Sequence, residues 1–303
     1  MDPNLHQPAL ERDEVWMHTL IRTSLAAATL GTACLLAALG VLSAPGTAGA
    51  VDPVETGRFV WHDLMSKDVS AAKRFYGSLF GWRFEDGKRG DRPYVLARLA
   101  SEPVAGIVDV SALPNAGAQW LTFMEVADVD KTVAQVKSDG GQILLEPREV
   151  PSIARAAVIA DPQGAPLGLA QLRRTVADPT QPKANHFFWQ EYLAKDAVKG
   201  LEFYKRMAGY DSKISDTQLG IEYHILSKTR PRAGLFQLPP TATDVLPNWL
   251  PYVLVDDPAA LASRVTSLGG RILVPAAPDR RKGTLVVIAD PEGAPLALQK
   301  YPF

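Results

Sequence analysis

The sequence predicts an α+β protein composed of two related domains, each of which contains the element order βαβββ twice. Two observations lead to this prediction. Motifs of the first half recur in the same order in the second half, and within each copy short strands alternate with helices. Composition agrees, because 47% hydrophobic and 21% charged residues over 303 positions suit about two globular domains.

The internal repeat is clearest at the beginning and the end of each copy. The first strand reads FVWHDLM at 59–65 and FFWQEYL at 187–193, and the closing phrase reads ADPQGAPL at 160–167 and ADPEGAPL at 289–296. The offset between the copies stays at 128 or 129 residues, as these pairs illustrate: Trp61 and Trp189, Phe75 and Phe203, Asp161 and Asp290.

The repeat also sets the expected domain boundaries. We expect a first domain over residues 57–171 and a second over 184–301, each about 115 residues long. The intervening stretch, LRRTVADPTQPK at 172–183, is polar and contains two prolines, which is typical of a linker.

Caps and apolar spacing predict the helices of each copy. In the first copy we expect a helix from Asp68 to Gly81, because its apolar positions recur at helical spacing and glycine commonly ends a helix. A second helix is expected between Asp128, a good N-cap residue, and the pair Gly140-Gly141. Strands are predicted at 59–65, 94–99, 143–145 and 156–159, followed by a turn at Asp161.

Residues 1–50 predict a signal peptide that directs export. The stretch 24–42 carries no charge, and Ala-Gly-Ala at 48–50 matches the small-x-small pattern that signal peptidase cleaves. Because the residues before Met17 are acidic, Met17 is an alternative initiator. We expect a periplasmic or secreted protein, and the alternative is an uncleaved membrane anchor. Cleavage would remove Cys34, the only cysteine.

Charge and cysteine content exclude several functional classes. Lys plus Arg total 32 and Asp plus Glu 33, so a net charge of -1 offers no basic surface to nucleic acid. One cysteine cannot build a disulfide framework or a thiolate metal centre. We therefore expect no nucleic-acid partner and, after signal cleavage, no stable membrane association.

These motifs resemble the vicinal oxygen chelate superfamily, which includes glyoxalase I, bleomycin-resistance proteins and extradiol dioxygenases. The first strand is most similar to the two-domain glyoxalase-like branch. The resemblance implies that each pair of βαβββ units forms a curved mixed sheet around a cup, with the metal ligands of the enzymes on strands that face the cup. The positions that carry it are Trp61, Asp63, Leu64, Asp68, Phe75, Tyr76, Gly81, Trp82, Asp161 and Asp290.

The resemblance further locates two metal-ligand positions, and this chain has changed both. The first-strand ligand, usually His, falls on Trp61 and Trp189, which stand fourteen residues before the Phe of the Phe-Tyr motif. The last-strand ligand, usually Glu, falls on Gly168 and Ala297, seven residues after the closing aspartate. Indole, hydrogen and methyl groups do not bind divalent ions. We therefore expect no metal cofactor, and a displaced divalent ion is the alternative.

Two acids are the first candidates for chemistry. Asp63 and Glu191 occupy the same place in both copies, two residues beyond the changed ligand position, and residues two apart on a strand share a face. They are candidates for ligand binding, for general-base catalysis or for holding a displaced metal. The alternative is a carboxylate that pairs with an arginine and fixes the strand.

Two histidines are weaker candidates. His62 lies beside Asp63, so strand alternation directs it to the opposite face, toward the helices. It is a weak metal-ligand candidate, and a structural, hydrogen-bonded histidine is the favoured interpretation. His224 follows Tyr223 on a predicted middle strand, where a strand-surface histidine is the favoured interpretation and a proton carrier in the second cup is the alternative.

Four aromatic residues complete the set of ligand-binding candidates. Trp120 and Trp249 match between the copies, and Phe123 and Tyr252 follow each of them by three residues. Aromatic walls suit a cup that binds a flat or apolar molecule, with the tryptophans stacking on its apolar part. The alternative is that these rings belong to the core between sheet and helices.

Together the sequence predicts an exported protein that binds a small organic molecule in one or two aromatic-lined cups, without the family metal site. Two alternatives stay open. One is a metal-dependent lyase, isomerase or dioxygenase whose atypical site draws on Asp63, His62, Glu191 or His224. The other is a structural or interaction protein whose cups are filled by its own side chains. Because two domains can pair within one chain, we expect a monomer.

Overall fold

The computed structural model describes residues 55–89, 92–113, 115–174, 178–179, 181–218 and 221–301. The predicted signal at 1–50, the alternative initiator Met17 and Cys34 lie outside the described residues. Within the described ranges, no helix combines the length and the apolar character that crossing a membrane requires.

The first half of the described chain contains eight strands and two α-helices. The strands are β1 (Phe59–Ser66), β2 (Arg83–Arg89), β3 (Arg92–Leu99), β4 (Glu102–Asp109), β5 (Gln119–Glu125), β6 (Gln142–Val150), β7 (Ala154–Ala160) and β8 (Pro166–Leu172). The helices are α1 (Val69–Phe80) and α2 (Val129–Ser138).

The second half follows the same order. Its strands are β9 (Phe187–Ala194), β10 (Asp211–Gln218), β11 (Ile221–Ser227), β12 (Pro231–Gln237), β13 (Asn248–Leu254), β14 (Arg271–Val274), β15 (Leu285–Ala289) and β16 (Pro295–Gln299). Its helices are α3 (Ala197–Ala208) and α4 (Pro258–Val265), with short 3-10 turns at Thr266–Leu268 and Arg281–Gly283.

Each half forms one eight-stranded mixed sheet. Sheet 1 has the order β2-β3-β4-β1-β5-β8-β7-β6, and sheet 2 has the corresponding order β10-β11-β12-β9-β13-β16-β15-β14. In every βαβββ unit the first and last strands pair in parallel, and the first strands of the two units pair antiparallel at the centre. The predicted α+β class, built from four βαβββ units, is therefore confirmed.

The helices begin and end where side-chain chemistry allows it. The Asp68 carboxylate accepts a hydrogen bond from the Ala71 backbone N–H at 2.8 Å, and Gly81 ends α1 in the left-handed conformation with φ 74°. Both ends agree with the prediction. Asp128 caps α2 in the same way, and that helix stops at Asp139, next to the predicted glycines.

The helices cover only one face of each sheet, and these faces pack against each other. One core combines α1 and the β1–β4 unit with residues of α4 and the β13–β16 unit, and a second core combines the other two units. The helix-free face of sheet 1 carries a separate cluster, which we call cup 1 and which includes Trp61, Tyr94 and Phe123. The equivalent face of sheet 2 is cup 2, with Trp189 and Tyr252.

Matched chains of hydrogen bonds join the two halves. In one, the Trp120 indole N–H donates to the Tyr76 hydroxyl at 3.1 Å, and this hydroxyl donates to Asp290 Oδ2 in the opposite half at 3.1 Å. The other carboxylate oxygen of Asp290 accepts the backbone N–H groups of Glu292 and Ala294, which holds the closing turn.

The second chain repeats the first in the opposite direction. The Trp249 indole N–H donates to the Tyr204 hydroxyl at 2.9 Å, which donates to Asp161 Oδ2 at 3.0 Å. Burial raises the pKa of Asp161 and Asp290, because a charged carboxylate loses its hydration between the sheets. The closing Asp-Pro-x-Gly phrase therefore belongs to the contact between the halves as well as to its own turn.

Candidate functional site

The two positions that the resemblance assigns to metal ligands meet in a single cross-strand row. Trp61 on β1 lies opposite Phe123 on the central strand β5, and Phe123 lies opposite Gly168 on β8. In sheet 2 the same row contains Trp189, Tyr252 and Ala297. The offsets of fourteen and seven residues in the sequence therefore identify neighbours in space.

This row does not fit a metal ion. A Cβ atom placed on Gly168 would lie 2.2 Å from the Phe123 ring, so the space that a ligand side chain would need is filled by an aromatic ring. The Trp61 indole N–H donates to Asp63 Oδ1 at 2.8 Å and offers no lone pair to an ion. Throughout the described ranges, no three His, Cys, Asp or Glu side chains converge as metal ligands would.

In cup 1, Asp63 is completely buried and only half of its carboxyl group is hydrogen-bonded. Oδ1 accepts hydrogen bonds from the Trp61 indole and from the Tyr94 hydroxyl, both at 2.8 Å. Oδ2 is buried and has no hydrogen-bond partner among the described residues. Burial raises the pKa of Asp63 to about 7, although a nearby arginine and the two hydrogen bonds oppose the rise.

Two further residues shape this group. Gly106 on β4 leaves room for it, since a Cβ atom there would lie 1.8 Å from the Tyr94 hydroxyl and 2.2 Å from Asp63 Oδ1. Arg89, at the end of β2, places its guanidinium 4.1 Å from the centroid of the Tyr94 ring. Its Nη1 is buried with no hydrogen-bond partner in the described part of the chain.

In cup 2, the equivalent acid is fully engaged. Arg281 Nη2 donates to Glu191 Oε1 at 2.6 Å, and the Tyr252 hydroxyl donates to Oε2. The guanidinium carbon of Arg281 lies 5.0 Å from the centroid of the Tyr223 ring. Burial and the charge of Glu191 raise the pKa of Tyr252 and of Tyr223, so both hydroxyls stay protonated at neutral pH.

The structure brings four of the predicted site residues into the cups and excludes two. Asp63 and Phe123 lie in cup 1, and Glu191 and Tyr252 lie in cup 2. Trp120 and Trp249 do not face the cups, which corrects the prediction that they stack on a ligand there. They are 5% and 3% exposed in the cores between the sheets, where they donate to Tyr76 and Tyr204.

Both histidine candidates lie on the helix side. His62 stacks on Phe187 with ring centroids 3.8 Å apart and contacts the amide of Gln190, the equivalent residue of the other half. Burial lowers the pKa of His62 to about 3, so it stays neutral. His224 pairs with Glu222 at 3.3 Å on the face opposite Tyr223 and is only 8% exposed, so it lies neither inside cup 2 as a proton carrier nor on the strand surface. Among the described residues, Asp63, Glu191 and these histidines form no group of three side chains that could hold a metal ion.

The partners of the two acids were not predicted from the sequence. Tyr94 and Tyr223 hold matching places on β3 and β11, and their conservation between the copies was a visible signal. Arg89 and Arg281 come from different places in the two halves, so the repeat gives no sign of either. The repeated Ala-Gly pairs at 105–106 and 233–234 marked the room that the tyrosine hydroxyls need.

The chain is similar to several known proteins. A protein of Mycobacterium tuberculosis (strain CDC 1551 / Oshkosh) with the provisional name glyoxylase CFP32 is 32% identical over 245 residues, which cover 79% of this chain and 93% of that protein. Anthracycline biosynthesis protein DnrV of Streptomyces peucetius is 28% identical over 263 residues, covering 77% and 90%. The Mn(II)-bound glyoxalase from Novosphingobium aromaticivorans has a similar fold, with a TM-score of 0.52 at 14% identity, covering 82% of this chain and 83% of that one.

Four βαβββ units in two curved sheets, each with a cup on its helix-free face, define a glyoxalase-like fold. The model of the Glyoxalase/Bleomycin resistance protein/Dioxygenase superfamily matches residues 58–169. Together with the first relative, this match shows that the chain belongs to that superfamily, as the motifs predicted. Its members bind small-molecule substrates.

Proposed function

We propose that the protein binds a small organic molecule in cup 1 without a metal ion, and that Asp63 is the polar anchor of the site. The observation that carries this proposal is the free carboxylate oxygen. Asp63 Oδ2 is buried in the cup and has no hydrogen-bond partner among the described residues, whereas Oδ1 is held by two donors. A buried polar atom without a partner is costly, and a bound ligand would remove that cost.

The chemistry of cup 1 favours a flat, largely apolar ligand with one polar edge. Trp61, Tyr94 and Phe123 supply aromatic surface, and aliphatic side chains fill the rest of the cluster. Because the pKa of Asp63 is raised to about 7, its carboxyl group is partly protonated at neutral pH. It can then donate a hydrogen bond to a carbonyl or accept one from a hydroxyl group.

The residues divide this task. The Trp61 indole and the Tyr94 hydroxyl fix one carboxyl oxygen and leave the other for the ligand. The guanidinium of Arg89 lies on the Tyr94 ring at the edge of the same group and would contact an acceptor on the ligand. The named role of one relative in anthracycline biosynthesis supplies a first test compound, since anthracyclines are flat aromatic molecules with oxygen substituents.

A thermal-shift and tryptophan-fluorescence screen tests the proposal, with an anthracycline and a panel of flat hydroxylated aromatic compounds. A ligand that binds the folded state raises the melting temperature by mass action. We expect Asp63→Asn to weaken binding about tenfold or more, because the mutated group loses its carboxyl chemistry in a buried site. Glu191→Gln in cup 2 is the matched control and should retain binding. A hit that binds both variants equally would refute cup 1 as the site.

Metal content tests the metal-free part of the proposal. Three proteins are purified in parallel: the wild type, Asp63→Ala and Glu191→Ala. Their metal content is measured by inductively coupled plasma mass spectrometry. We expect less than about one-tenth of an equivalent of any divalent metal in all three, because each cup offers a single carboxylate. Stoichiometric metal in the wild type that disappears in either variant would contradict metal-free binding and favour an enzyme.

Export is the remaining part of the proposal. It rests on the uncharged stretch at 24–42 and the Ala-Gly-Ala tripeptide at 48–50. Sequencing the N-terminus of the protein recovered outside the cytoplasm should give a chain that begins at Val51. An intact N-terminus in a membrane fraction would favour the anchored alternative.

A further inference from the structure

Cup 2 contains a cation supplied by the chain itself. The Arg281 guanidinium donates to Glu191 Oε1 and lies over the Tyr223 ring, while the Tyr252 hydroxyl takes the other carboxylate oxygen. Carboxylate on one edge and an aromatic face below are the two contacts that a planar cation prefers. The side chains of Arg281 and Glu191 are 18% and 10% exposed, so the ion pair is largely removed from water.

The loop that delivers Arg281 is held in an unfavourable conformation. Arg281 has φ 42° and Lys282 has φ 55°, a region that residues with a Cβ atom rarely adopt. Such a conformation persists when surrounding contacts impose it. Here the contacts of the Arg281 side chain with Glu191 and with the Tyr223 ring join this loop to the cup.

The first half shows what the same position does without an arginine. The residue equivalent to Arg281, at an offset of 129, is Ser152, which also has a positive φ of 64° but a short, exposed side chain. In that half β6 runs to Val150 beside β7, whereas β14 stops at Val274 and leaves a longer loop before β15. The stretch that ends a hairpin in the first half is therefore a loop that reaches the cup in the second half.

We propose that cup 2 is a binding site for a planar organic cation, a guanidinium or an amidinium, and that Arg281 is a built-in competitor that keeps the site closed. An incoming cation would replace the Arg281 guanidinium between Glu191 and the Tyr223 ring. Release of Arg281 would let the loop leave its left-handed conformation. The free energy gained by this relaxation would offset part of the free energy lost with the ion pair. This site is separate from cup 1 and does not depend on the function proposed there.

Benzamidinium is the probe, because it combines a planar amidinium with an aromatic ring. It is titrated into wild type, Arg281→Ala and the double variant with Glu191→Gln, and binding is followed by tryptophan fluorescence and melting temperature. Trp189 reports on the site, since its indole donates to the Tyr223 hydroxyl at 3.2 Å. We expect Arg281→Ala to bind about tenfold or more tightly than wild type, because the competitor is gone.

Two variants keep the test decisive. Arg280→Ala removes a cation from the same loop while Arg281 stays in place, and it should bind like wild type. Arg281→Lys retains a charge that is not planar, so it should give intermediate affinity, and it serves if Arg281→Ala fails to fold. Equal affinity of folded Arg281→Ala and wild type, or undiminished binding after Glu191→Gln is added, would overturn the proposal.

Release of Arg281 in the wild type is measured directly by NMR of its side-chain Nε–H group. We expect this resonance to move as benzamidinium is added in excess, with the same concentration dependence as the fluorescence change. A resonance that stays fixed at about a hundredfold excess over the dissociation constant of Arg281→Ala would make the ion pair permanent, and Arg281 would not be a competitor.

Discussion

Cup 1 and cup 2 start from the same frame and neutralise a buried acid in different ways. Both place an acid two residues after a tryptophan on the first strand, with a tyrosine from the third strand and a glycine beside it. Burial raises the pKa of Asp63 to about 7, so its carboxyl group is partly protonated at neutral pH. Glu191 instead forms an ion pair with Arg281. The duplicated architecture therefore fixes where a carboxyl group is buried but not how its charge is compensated.

The greatest loss of stability is expected at the glycines beside the buried acids, where a side chain has no room. Gly106→Ala should destabilise the protein by about 3 kcal/mol or more, because the new methyl group would overlap the Tyr94 hydroxyl at 1.8 Å and Asp63 Oδ1 at 2.2 Å. Gly234→Ala should cost less, since its second close partner is a methylene carbon of Glu191 at 2.9 Å. Denaturant unfolding measures both.

Gly87→Ala is the control for these two variants, because the nearest atom to its Cβ would be 3.8 Å away. We expect a change within about 1 kcal/mol, the usual size of a glycine-to-alanine effect. Equal stability losses for Gly106→Ala and Gly234→Ala would show that the two cups are packed alike around their acids.

Removing the charge of Glu191 should lower stability by about 3 kcal/mol. The substitution Glu191→Gln leaves the largely buried guanidinium of Arg281 without its carboxylate, and an unpaired buried charge is costly. Asp86→Asn is the control, because its pair with Lys73 is exposed and contributes little. Urea unfolding at pH 7 compares them. If Glu191→Gln is as stable as wild type, the ion pair with Arg281 does not stabilise cup 2, and the proposed electrostatic difference between the cups is wrong.

Removing the charge of Asp63 should raise the stability of the protein above neutral pH, in contrast to the loss expected for Glu191→Gln. Above a pH of about 4 the unfolded chain has lost the proton, while the folded protein keeps it up to its pKa of about 7, so stability falls as pH rises through this window. The full linkage over this window is about 4 kcal/mol. Asp63→Asn removes it but buries an amide N–H group without a partner, so the variant should be more stable than wild type by about 2 kcal/mol at pH 8 and less stable by a similar amount at pH 4. A variant that is less stable at pH 8 would contradict the raised pKa.

The smallest effect concerns His62, the neighbour of Asp63 on the other face of β1. Its pKa is lowered to about 3, so between pH 6.5 and 3 the unfolded chain takes up a proton that the folded protein does not, and stability is lost as pH falls. His62→Gln, the residue at the equivalent position of the other half, should gain about 1 kcal/mol over wild type at pH 6. Urea midpoints at pH 6 and pH 8 measure it. A gain of equal size at pH 8 would point to packing instead.

Local patterns predicted most of the fold. Aspartate caps, glycine stops and apolar spacing predicted α1 between Asp68 and Gly81, because these signals act over a few residues. Strand alternation placed Asp63 in the cup and His62 on the helix side, since neighbours on a strand point to opposite faces.

The same alternation rule explains the failure at the tryptophans. Trp120 and Phe123 are three positions apart on β5, so they point to opposite faces and cannot line one cup. Phe123 faces cup 1, and Trp120 faces the core between the sheets. Arg281 was beyond prediction for a different reason. Its contact with Glu191 spans 90 residues and depends on the shape of a loop, which no local periodicity encodes.

The tryptophan–tyrosine–aspartate hydrogen-bond chains between the sheets make each half of the protein depend on the other. Either half produced alone would expose a broad aromatic surface and leave a closing aspartate without the tyrosine that it requires from the other half. Such a fragment would expose the surface that drives aggregation. The smallest cooperative unit is thus the pair, even though each half already holds a complete sheet and its own cup.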